Sequence, residues 1–398
     1  MAYRLMDIMV SAPGCGAHPA AWRAQPPPHA PSLAWFRSLV MLAEQACLDA
    51  VLFGAHPWGP ALSATGLVQG MQPDTMPLVA ALASTGRHVG LGAAVGLDRA
   101  EPFNIARSFA GADRLTGGRT IWITGLGAPG ERAANFGHAT PLDAAQRYAR
   151  AQESILVVRK LWDSWEDEAV VLDKPAGLFT DPDRVHRIAH AGAYFSVRGP
   201  LNAPRPLQGH PLVVQSDASP AGLALAAGTA DFFIATQDTP AQVRQIKQAF
   251  AGQPGPRVLA TVVSLLADTQ AEAEDRAAAL DSWVDSRLAA AILADQGRNP
   301  AAGLAVARGL AWSMGGMPFI GTPSGFADWL SALFEDSVCD GFNLTPAVLP
   351  LDLAGFANGV APLLQARGLM RRAYSGSTVR DNIGLPRPHS QYAKEHVA

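Results

Sequence analysis

The stretch 213–222, VVQSDASPAG, contains the residues whose types and spacing are best suited to bind an anion. It has the pattern of a buried strand that turns directly into a helix. Many α/β proteins hold a phosphate at such a turn, because the first backbone N–H groups of a helix are free and the helix dipole is positive there. Asp217, however, brings a negative charge of its own into the turn. The sequence therefore leaves open whether this turn binds a phosphorylated cofactor.

A glycine-rich pattern, GLGAPG at 125–130, follows the predicted strand RTIWIT. It matches the GxGxxG spacing of dinucleotide-binding turns, which also need a long helix that begins inside the motif and an acidic residue about 20 positions later. The residues that follow, ERAANFGHATP, are interrupted by Gly137 and Pro141 and are typical of a loop. A flexible loop is the better interpretation of this motif.

The histidines and cysteines do not form a recognisable metal or disulfide pattern. The sequence contains no HExxH, and although His186 and His190 are spaced as two ligands on one helix face, their segment runs into glycine and a predicted strand. Two exposed histidines in a loop are therefore a better interpretation than a metal site. Cys15, Cys47 and Cys339 are odd in number and far apart, so we expect ordinary thiols.

The composition excludes several classes of partner. Of the 398 residues, 48% are hydrophobic and 16% are charged, and the net charge is −3, so there is material for a large core and no field that attracts nucleic acid or an anionic membrane. The chain has no apolar run of about 18 residues, and its start, MAYRLMDIMVSAPG, lacks the apolar region of a signal peptide. We expect a cytoplasmic protein that binds neither nucleic acid nor a membrane.

The elements that must position these residues follow from the alternation of short apolar runs with longer segments of helical period. The predicted strands are 3–10, 49–55, 89–95, 119–124, 211–216, 231–236, 257–267 and 341–347. Eight strand–helix units predict an α/β protein that folds as a single (β/α)8 barrel over residues 1–398.

Two segments interrupt this alternation, at about 166–210 and about 295–320. In a (β/α)8 barrel such insertions usually cover the mouth at the C-terminal ends of the strands, where substrates bind, so we expect both at the barrel mouth. The tail, from about 375 to 398, has no hydrophobic period. We expect this tail to wrap a neighbouring subunit or to be mobile.

Several longer strings resemble one known family. They are AEPFNIARSFAGADRLTGGR, NFG, RYARAQE, GTPSGFADWL, DGFNLTPAVLPLDL and the segment from LWDSWEDEAVVLDK to LQGHPLVVQ. Together they resemble the nitrilotriacetate, dibenzothiophene-sulfone and alkane monooxygenase branch of the bacterial luciferase-like superfamily, from about residue 5 to 385. The resemblance implies a TIM barrel, a homodimer or homotetramer, and a flavin-dependent monooxygenase. Such an enzyme takes reduced FMN from a separate NAD(P)H-dependent flavin reductase and uses O2 to oxygenate a small organic substrate.

The resemblance also identifies candidate residues for binding a flavin phosphate. The family's phosphate cup combines the Tyr of an Arg–Tyr pair with a Gly-Ser-Ser turn. In this chain the pair is Arg147 and Tyr148, and the last position of the turn is Ser219. If the alignment shifts by one residue, Ser216 replaces a missing phosphate ligand and Thr124 fills the family's Thr position. For Tyr148 a cap on the barrel, and for Ser219 a plain helix N-cap, are equally good interpretations.

Other positions depart from the family's pattern and put FMN binding in doubt. Asp217 and Ala218 stand where the family has Gly and Ser. A carboxylate about 5 Å from a phosphate charge costs about 3 kcal/mol at an effective dielectric of 20, or about two decades in affinity. Polar groups that the family uses near the flavin ring or the substrate are replaced by apolar ones at Ala55, Ile123 and Ala144.

Three further residues are candidates for catalysis. Glu101 and Trp122 lie at strand ends, where either contact with a bound ring or core packing fits, and packing is the better interpretation for Trp122. His56 follows the second predicted strand and has the pKa range of a general acid or base. A loop histidine without a role is nevertheless the better interpretation of His56.

Two classes of function therefore remain open. In the first, an FMNH2-dependent monooxygenase has an apolar mouth for a hydrophobic substrate and holds the phosphate with Tyr148, Ser219 and backbone amides. In the second, a flavin-free homologue acts as a non-catalytic subunit, a ligand-binding protein or a barrel enzyme with unrelated chemistry. Fold alone cannot decide between them, because function depends on the site.

Overall fold

Eight parallel strands close into a barrel in the computed structural model, which describes residues 4–24, 32–54, 73–98, 100–126, 142–252, 254–295, 297–299, 302–313 and 315–392. In chain order the barrel strands are β1 (Asp7–Ser11), β2 (Ala50–Phe53), β3 (Gly90–Ala94), β4 (Thr120–Ile123), β5 (Leu212–Gln215), β6 (Phe232–Ala235), β7 (Arg257–Leu266) and β8 (Gly341–Pro346). Each strand pairs in parallel with the next, and β8 returns to β1 through the pairs Asp7↔Gly341 to Val10↔Leu344. These are the eight strands that the sequence predicts, so the prediction of a (β/α)8 barrel is confirmed.

Helices connect the barrel strands and form a layer around them. The α-helices of the described residues are α1 (Leu33–Gln45), α2 (Thr75–Leu82), α3 (Pro102–Thr116), α4 (Ala144–Asp163), α5 (Pro220–Thr229), α6 (Pro240–Ala249), α7 (Gln270–Ser282), α8 (Ser286–Asp295), α9 (Leu304–Ser313), α10 (Pro323–Glu335), α11 (Leu351–Gly355), α12 (Ala361–Ala366) and α13 (Val379–Asn382). A π-helical turn, Phe356–Val360, joins α11 to α12, and 3-10 helices span Ala21–Arg23 and Pro182–Arg184. None of the helices in this part of the chain is both long and apolar enough to cross a membrane.

The barrel strands bury both of their faces, so their side chains alternate between an inner and an outer apolar layer. In β4, Ile121 and Ile123 belong to the inner layer. Trp122, between them, points outward and packs against Phe109 of α3 and Trp162 of α4. The face on which a strand residue lies therefore decides whether its side chain reaches the barrel interior or the helix layer.

The segment 166–210 leaves the barrel at the N-terminal ends of the strands, because it follows α4 and precedes β5. It forms two short antiparallel ribbons, Val170–Asp173 with Leu178–Thr180 and His190–Ala191 with Ser196–Val197. The second ribbon lies against α4, where the guanidinium of Arg150 stands 4.7 Å from the ring centre of Phe195. The segment therefore reaches the rim of the mouth along the outside of α4, a different route from that of an insertion after a strand.

The two histidines of this segment are paired rather than exposed, which corrects the interpretation from the sequence. His186 Nε2 lies 2.7 Å from Oε1 of Glu166, and His190 Nε2 lies 3.1 Å from Oε1 of Glu153. These carboxylates come from distant positions of the chain, so spacing alone gives no sign of them. Within the described ranges, no group of three or more His, Cys, Asp or Glu side chains is arranged to hold a metal ion.

The second excursion follows β7 and contains α7, α8, α9 and a short strand, Met317–Gly321. This strand pairs with the C-terminal half of β7, from Val262↔Met317 to Leu266↔Gly321. Apolar side chains of α7 pack with Ala17 and Ala21, which follow β1. The excursion therefore lies at the barrel mouth, as the sequence predicts, but it begins at about 267 rather than 295.

His18 is buried under this excursion and makes the stability of the protein depend on pH. Its ring centre lies 4.8 Å from that of Trp312, and its Nδ1 accepts a hydrogen bond from the backbone N–H of Ala20 at 3.2 Å. Burial lowers the pKa of His18 from its ordinary 6.5 to about 3. Below pH 6.5 the imidazole of His18 takes up a proton in the unfolded chain but stays neutral in the folded protein until the pH approaches 3. The free energy of unfolding therefore decreases as the pH falls through this range.

We expect the free energy of unfolding to fall by about 2 kcal/mol between pH 6.5 and pH 5 through this group. Urea unfolding at several pH values measures the loss. The variant His18→Gln removes this titrating group and should reduce the slope by this amount. A slope that His18→Gln leaves unchanged would show that other groups set the acid limit of stability.

The described part of the tail, 375–392, closes the N-terminal end of the barrel. Val379 and Ile383 are buried in the inner layer of the barrel. Arg380 forms an ion pair with Asp231 at 3.0 Å. Residues 375–392 therefore pack against the barrel of their own chain rather than standing free of it. Contact of the tail with a neighbouring subunit stays a prediction, and the remainder of the tail lies outside the described residues.

Candidate functional site

A cavity of about 380 Å³ lies at the barrel mouth, beyond the carboxyl ends of β3, β4 and β5 and beside the N-terminal part of α4. Its lining combines apolar side chains with hydroxyl, carboxylate and guanidinium groups: Leu97, Thr124, Gly125, Leu126, Arg147, Tyr148, Gln215, Ser216, Asp217 and Leu225. Enzymes with this fold bind their substrates at the carboxyl ends of the strands. The cavity is therefore the candidate functional site.

The beginning of α4 is fixed beside the cavity by its N-cap. The side chain of Asp143 accepts a hydrogen bond from the backbone N–H of Gln146 at 2.8 Å, and the backbone N–H of Asp143 donates to the side chain of Gln146 at 3.1 Å. Arg147 and Tyr148 follow this capping box. Nη2 of Arg147 donates to the carbonyl oxygen of Leu126 at 2.6 Å, which ties α4 to the loop after β4. Both residues of the predicted Arg–Tyr pair thus line the cavity.

The turn after β5 brings Asp217 and Ser219 to Tyr148. Ser219 caps α5, since its Oγ accepts a hydrogen bond from the backbone N–H of Gly222 at 3.1 Å, and this Oγ lies 2.9 Å from the hydroxyl of Tyr148. The Tyr148 hydroxyl donates to Oδ2 of Asp217. The backbone N–H of Ser219 donates to Oδ1 of Asp217 at 2.9 Å. The predicted cup residues therefore meet, but they meet around a carboxylate.

Gly222 allows α5 to begin directly against Asp217. A Cβ atom at this position would lie 2.3 Å from the carbonyl oxygen of Asp217 and 2.5 Å from its Cγ. No other residue type fits such a close approach without a shift of the turn. The carboxylate of Asp217 is thereby held at the first turn of α5, where an anion would otherwise bind.

The hydrogen bond to Asp217 also affects the acidity of Tyr148. Burial raises the pKa of the Tyr148 hydroxyl above its ordinary value of 10, and the hydrogen bond to Asp217 raises it further. The hydroxyl therefore remains a donor at neutral pH. A phosphate in this cup would meet donors that already serve Asp217, and it would meet a like charge.

One buried polar group of the cavity, the hydroxyl of Thr124, has no hydrogen-bond partner among the described residues. Thr124, directly after β4, is 6% exposed, and its Oγ1 makes no hydrogen bond there. An unpaired buried hydroxyl costs free energy, so native structures rarely leave one without a partner. Because Thr124 also lines the cavity, a ligand bound there would complete the hydrogen bonding of its hydroxyl.

Trp122 and Glu101 do not belong to the residues that line the cavity. Trp122 is fully buried, with its ring centre 5.6 Å from that of Phe109 and 6.0 Å from that of Trp162. It faces away from the cavity, so contact with a bound ring does not fit and core packing does. Glu101, which precedes α3, is exposed, and its Oε1 lies 3.8 Å from Nη2 of Arg150.

Four other positions that the sequence singles out lie in different surroundings. Ser216 is exposed and lines the cavity, which keeps it a candidate ligand residue. Ala218 is half-buried and packs against the outer core. Ile123 belongs to the inner layer of the barrel, and Ala144 is exposed at the first position of α4. None of these four side chains except Ser216 lines the cavity.

Some predicted positions lie outside the described residues. These are His56 and Ala55, and also residues 127–130 of the glycine-rich motif. The first two residues of that motif, Gly125 and Leu126, line the cavity. The sequence-based expectations for His56 and Ala55 therefore stay predictions.

Two residues beside the cavity were not predicted from the sequence. Nη1 of Arg150 donates to the carbonyl oxygen of Leu97 at 2.8 Å, which holds the loop after β3. Nε2 of Gln215 donates to Oγ1 of Thr229 at 2.9 Å. The spacing of Arg150 three positions after Arg147 is a signal that both face the mouth, whereas nothing in the sequence marks Gln215.

Comparisons with known proteins agree with this architecture. The family model described as luciferase-like monooxygenase matches residues 15–340. The chain is 31% identical to the N-acetyl-S-(2-succino)cysteine monooxygenase of Bacillus subtilis strain 168, over 96% of this chain and 97% of that relative. It is 33% identical to the nitrilotriacetate monooxygenase component A of Aminobacter aminovorans, over 95% of this chain and 96% of that relative. The crystal structure of a long-chain alkane monooxygenase superposes with a TM-score of 0.87 at 25% identity and covers 96% of each chain.

Proposed function

Because the chain belongs to the luciferase-like monooxygenase family, we propose that it is a flavin-dependent monooxygenase whose substrate is a small, hydrophobic organic compound. Membership confirms the resemblance found in the sequence. The relatives named above are monooxygenases of unlike organic compounds, so membership supports the reaction class, and the substrate depends on the site. The observation that carries the proposal is the mouth cavity, in which apolar side chains lie around the unpartnered Thr124 hydroxyl.

The cavity fits the ring of a flavin and not the phosphate of FMN. Leu126 and Leu225 offer apolar surface to a planar ring, and Thr124 offers a hydroxyl to its polar edge. The phosphate does not fit the cup, because two of the donors there, the Tyr148 hydroxyl and the backbone N–H of Ser219, already donate to the Asp217 carboxylate, which also repels an anion. The residues present therefore support a reduced flavin bound through its ring, and the FMN implied by the resemblance lacks a free phosphate site.

A bound reduced flavin supplies the two electrons that activate O2, so that one oxygen atom enters the substrate and the other leaves as water. The residues of this chain would bind and orient the flavin and shield the reacting groups from water. The leucine side chains of the cavity exclude water from the reacting end of the site, which protects it from side reactions. With a flavin bound, the Thr124 hydroxyl would hold the ring, and Tyr148 and Ser219 would hold the flavin side chain.

The reduced flavin must come from another protein under this proposal. We propose a separate NAD(P)H-dependent flavin reductase as that partner, as the resemblance implies. One relative is named as component A of its monooxygenase, which supports a division of labour between two proteins. A homodimer or homotetramer and a cytoplasmic location remain predictions from the sequence.

The change Thr124→Val tests the ring site, because it keeps the shape of the side chain and removes the hydroxyl. We expect reduced riboflavin, which has the ring and no phosphate, to bind about fivefold more weakly, since one hydrogen bond is worth about 1 kcal/mol. Anaerobic titration followed by flavin absorbance or fluorescence measures this affinity.

Thr345→Val is the matched control for this test. The Thr345 hydroxyl is also buried and without a hydrogen-bond partner among the described residues, but it belongs to β8 and does not line the cavity. The control should leave the affinity unchanged. If both changes weaken binding equally, the ring does not bind beside Thr124.

One observation favours the second candidate function, a flavin-free homologue. The carboxylate of Asp217 lies in the cup where the family holds a phosphate, and a ligand-binding protein or non-catalytic subunit needs no such phosphate site. This alternative predicts that the unmodified protein binds neither reduced riboflavin nor reduced FMN in the same titration.

A further inference from the structure

The hydrogen-bond donors of the cup point at a side chain of the protein itself, the carboxylate of Asp217. The Tyr148 hydroxyl and the backbone N–H of Ser219 donate to the two oxygens of Asp217. The backbone N–H of Gly222, also in the first turn of α5, donates to Oγ of Ser219. A phosphate could take these donors only by displacing the Asp217 carboxylate, which would then stand beside it as a like charge.

The guanidinium groups of Arg147 and Arg150, on this side of α4, donate hydrogen bonds to the loops of the mouth. Nη2 of Arg147 donates to the carbonyl oxygen of Leu126 at 2.6 Å. Nη1 of Arg150 donates to that of Leu97 at 2.8 Å. Of these two residues Arg147 lines the cavity, so a dianion in the cup would compete for a group that holds the loop after β4, as well as for the donors of the cup.

The same cavity shows a second, independent sign of a ligand. Thr124 is more than nine-tenths buried, with 6% of its surface exposed, and its Oγ1 has no hydrogen-bond partner in the described part of the chain. Thr124 and Asp217 line one cavity, so a ligand that reaches the Thr124 hydroxyl also extends toward the turn after β5. The turn is thus one end of a ligand site rather than an isolated helix terminus.

The chemistry of this end suits a group that donates hydrogen bonds. The oxygens of Asp217, Ser219 and Tyr148 are all acceptors, and only hydroxyl or amine groups can use them fully. The ribityl chain of riboflavin ends in such a hydroxyl. The phosphate that ends the same chain in FMN carries about −1.5 to −2 charges at neutral pH and mainly accepts.

We propose that Asp217 makes this site select riboflavin, the flavin without a phosphate, over FMN. The inference rests on the proposed function, because it assumes that the cavity binds a flavin. From the like-charge cost of a carboxylate about 5 Å from a phosphate, the discrimination is about 100-fold. Asp217 is then the specificity-determining residue of the cup, and Tyr148 and Ser219 position its carboxylate.

The test is equilibrium binding of riboflavin and FMN to the full chain, in buffer without phosphate. Both flavins are titrated anaerobically in the reduced form and again in the oxidised form, with fluorescence or absorbance as the readout. We expect the unmodified protein to bind riboflavin at least tenfold more tightly than FMN. This comparison needs no variant, so it does not depend on how a substitution affects folding.

The change Asp217→Asn then isolates the charge, since asparagine keeps an oxygen that accepts from the backbone N–H of Ser219. We expect FMN affinity to rise by about 10-fold to 100-fold and riboflavin affinity to change by less than about threefold. Asp238→Asn is the matched control, because Asp238 is an exposed carboxylate in the loop after β6 and does not line the cavity. The control should alter neither affinity.

The possible outcomes separate this inference from the proposed function. If the unmodified protein binds FMN as tightly as riboflavin or more tightly, the selectivity of Asp217 is refuted and the flavin function stands. If Asp217→Asn leaves the ratio of the two affinities unchanged, Asp217 is not its source. If neither flavin binds to the protein or to the variant, the proposed function fails, and this inference fails with it.

Discussion

Replacing Trp122 with alanine is expected to lower the free energy of unfolding by about 3–5 kcal/mol, as large-to-small changes of buried aromatic residues do. Trp122 is fully buried and packs against Phe109 and Trp162, so its removal leaves a cavity between β4, α3 and α4. Its Nε1 also donates to the carbonyl oxygen of Val95 at 3.1 Å, and the change leaves this acceptor without its partner. Urea or thermal unfolding measures the loss.

The change Trp22→Ala is the matched control, because Trp22 is 38% exposed. It should cost less than about 1 kcal/mol, since surface substitutions seldom do more. The Trp122→Ala protein, where it is folded, should retain its affinity for reduced riboflavin within a small factor. A variant with nearly normal stability that no longer binds the flavin would instead show that Trp122 contacts the ligand.

The fold was predictable from the sequence because the barrel strands are short apolar runs between helical segments. The same property hides the direction of each side chain. A parallel strand is buried on both faces and lacks the alternation of polar and apolar residues that marks an exposed face. RTIWIT therefore predicts β4 but not whether Trp122 points into the barrel or out to the helices. Only the pairing of β4 with β3 and β5 decides this.

The route of the 166–210 segment and the position of the tail could not be predicted, because distant contacts set them. His190 meets Glu153, which lies 37 positions earlier in the chain. The tail has too few apolar residues for a period, yet Val379 and Ile383 fill the end of the barrel. Such contacts form only once the barrel has closed, so a local sequence pattern carries no information about them.

The candidate site was predictable in its membership and not in its geometry. The resemblance places Tyr148 and Ser219 in one cup although they lie 71 positions apart, and in the structure the Tyr148 hydroxyl lies 2.9 Å from Oγ of Ser219. Their role in binding a ligand stays a prediction. The sequence also showed the extra charge of Asp217. It could not show whether this side chain points away from the cup or accepts its hydrogen bonds, because that depends on the turn and on the close approach of Gly222.

The change Val379→Asp is expected to lower the free energy of unfolding by about 4 kcal/mol or more. Val379 has no exposed surface, and its side chain lies among the inner residues of the barrel, close to Gly90. A Cβ at Gly90 would lie 2.9 Å from Cγ2 of Val379, which shows how tightly the tail fits the barrel end. An aspartate there loses apolar burial and places an unpaired carboxylate in the barrel interior. Urea unfolding of the variant measures the effect.

His389→Asp introduces the same charge into the tail at an exposed position, so it should leave stability within about 0.5 kcal/mol. Val379→Ala removes two methyl groups without adding charge and should give an intermediate loss, which keeps the test informative where Val379→Asp does not fold. A graded loss in the order His389→Asp, Val379→Ala, Val379→Asp means that the tail closes the barrel in solution. Equal stability of all three variants would mean that the tail does not close the barrel in solution.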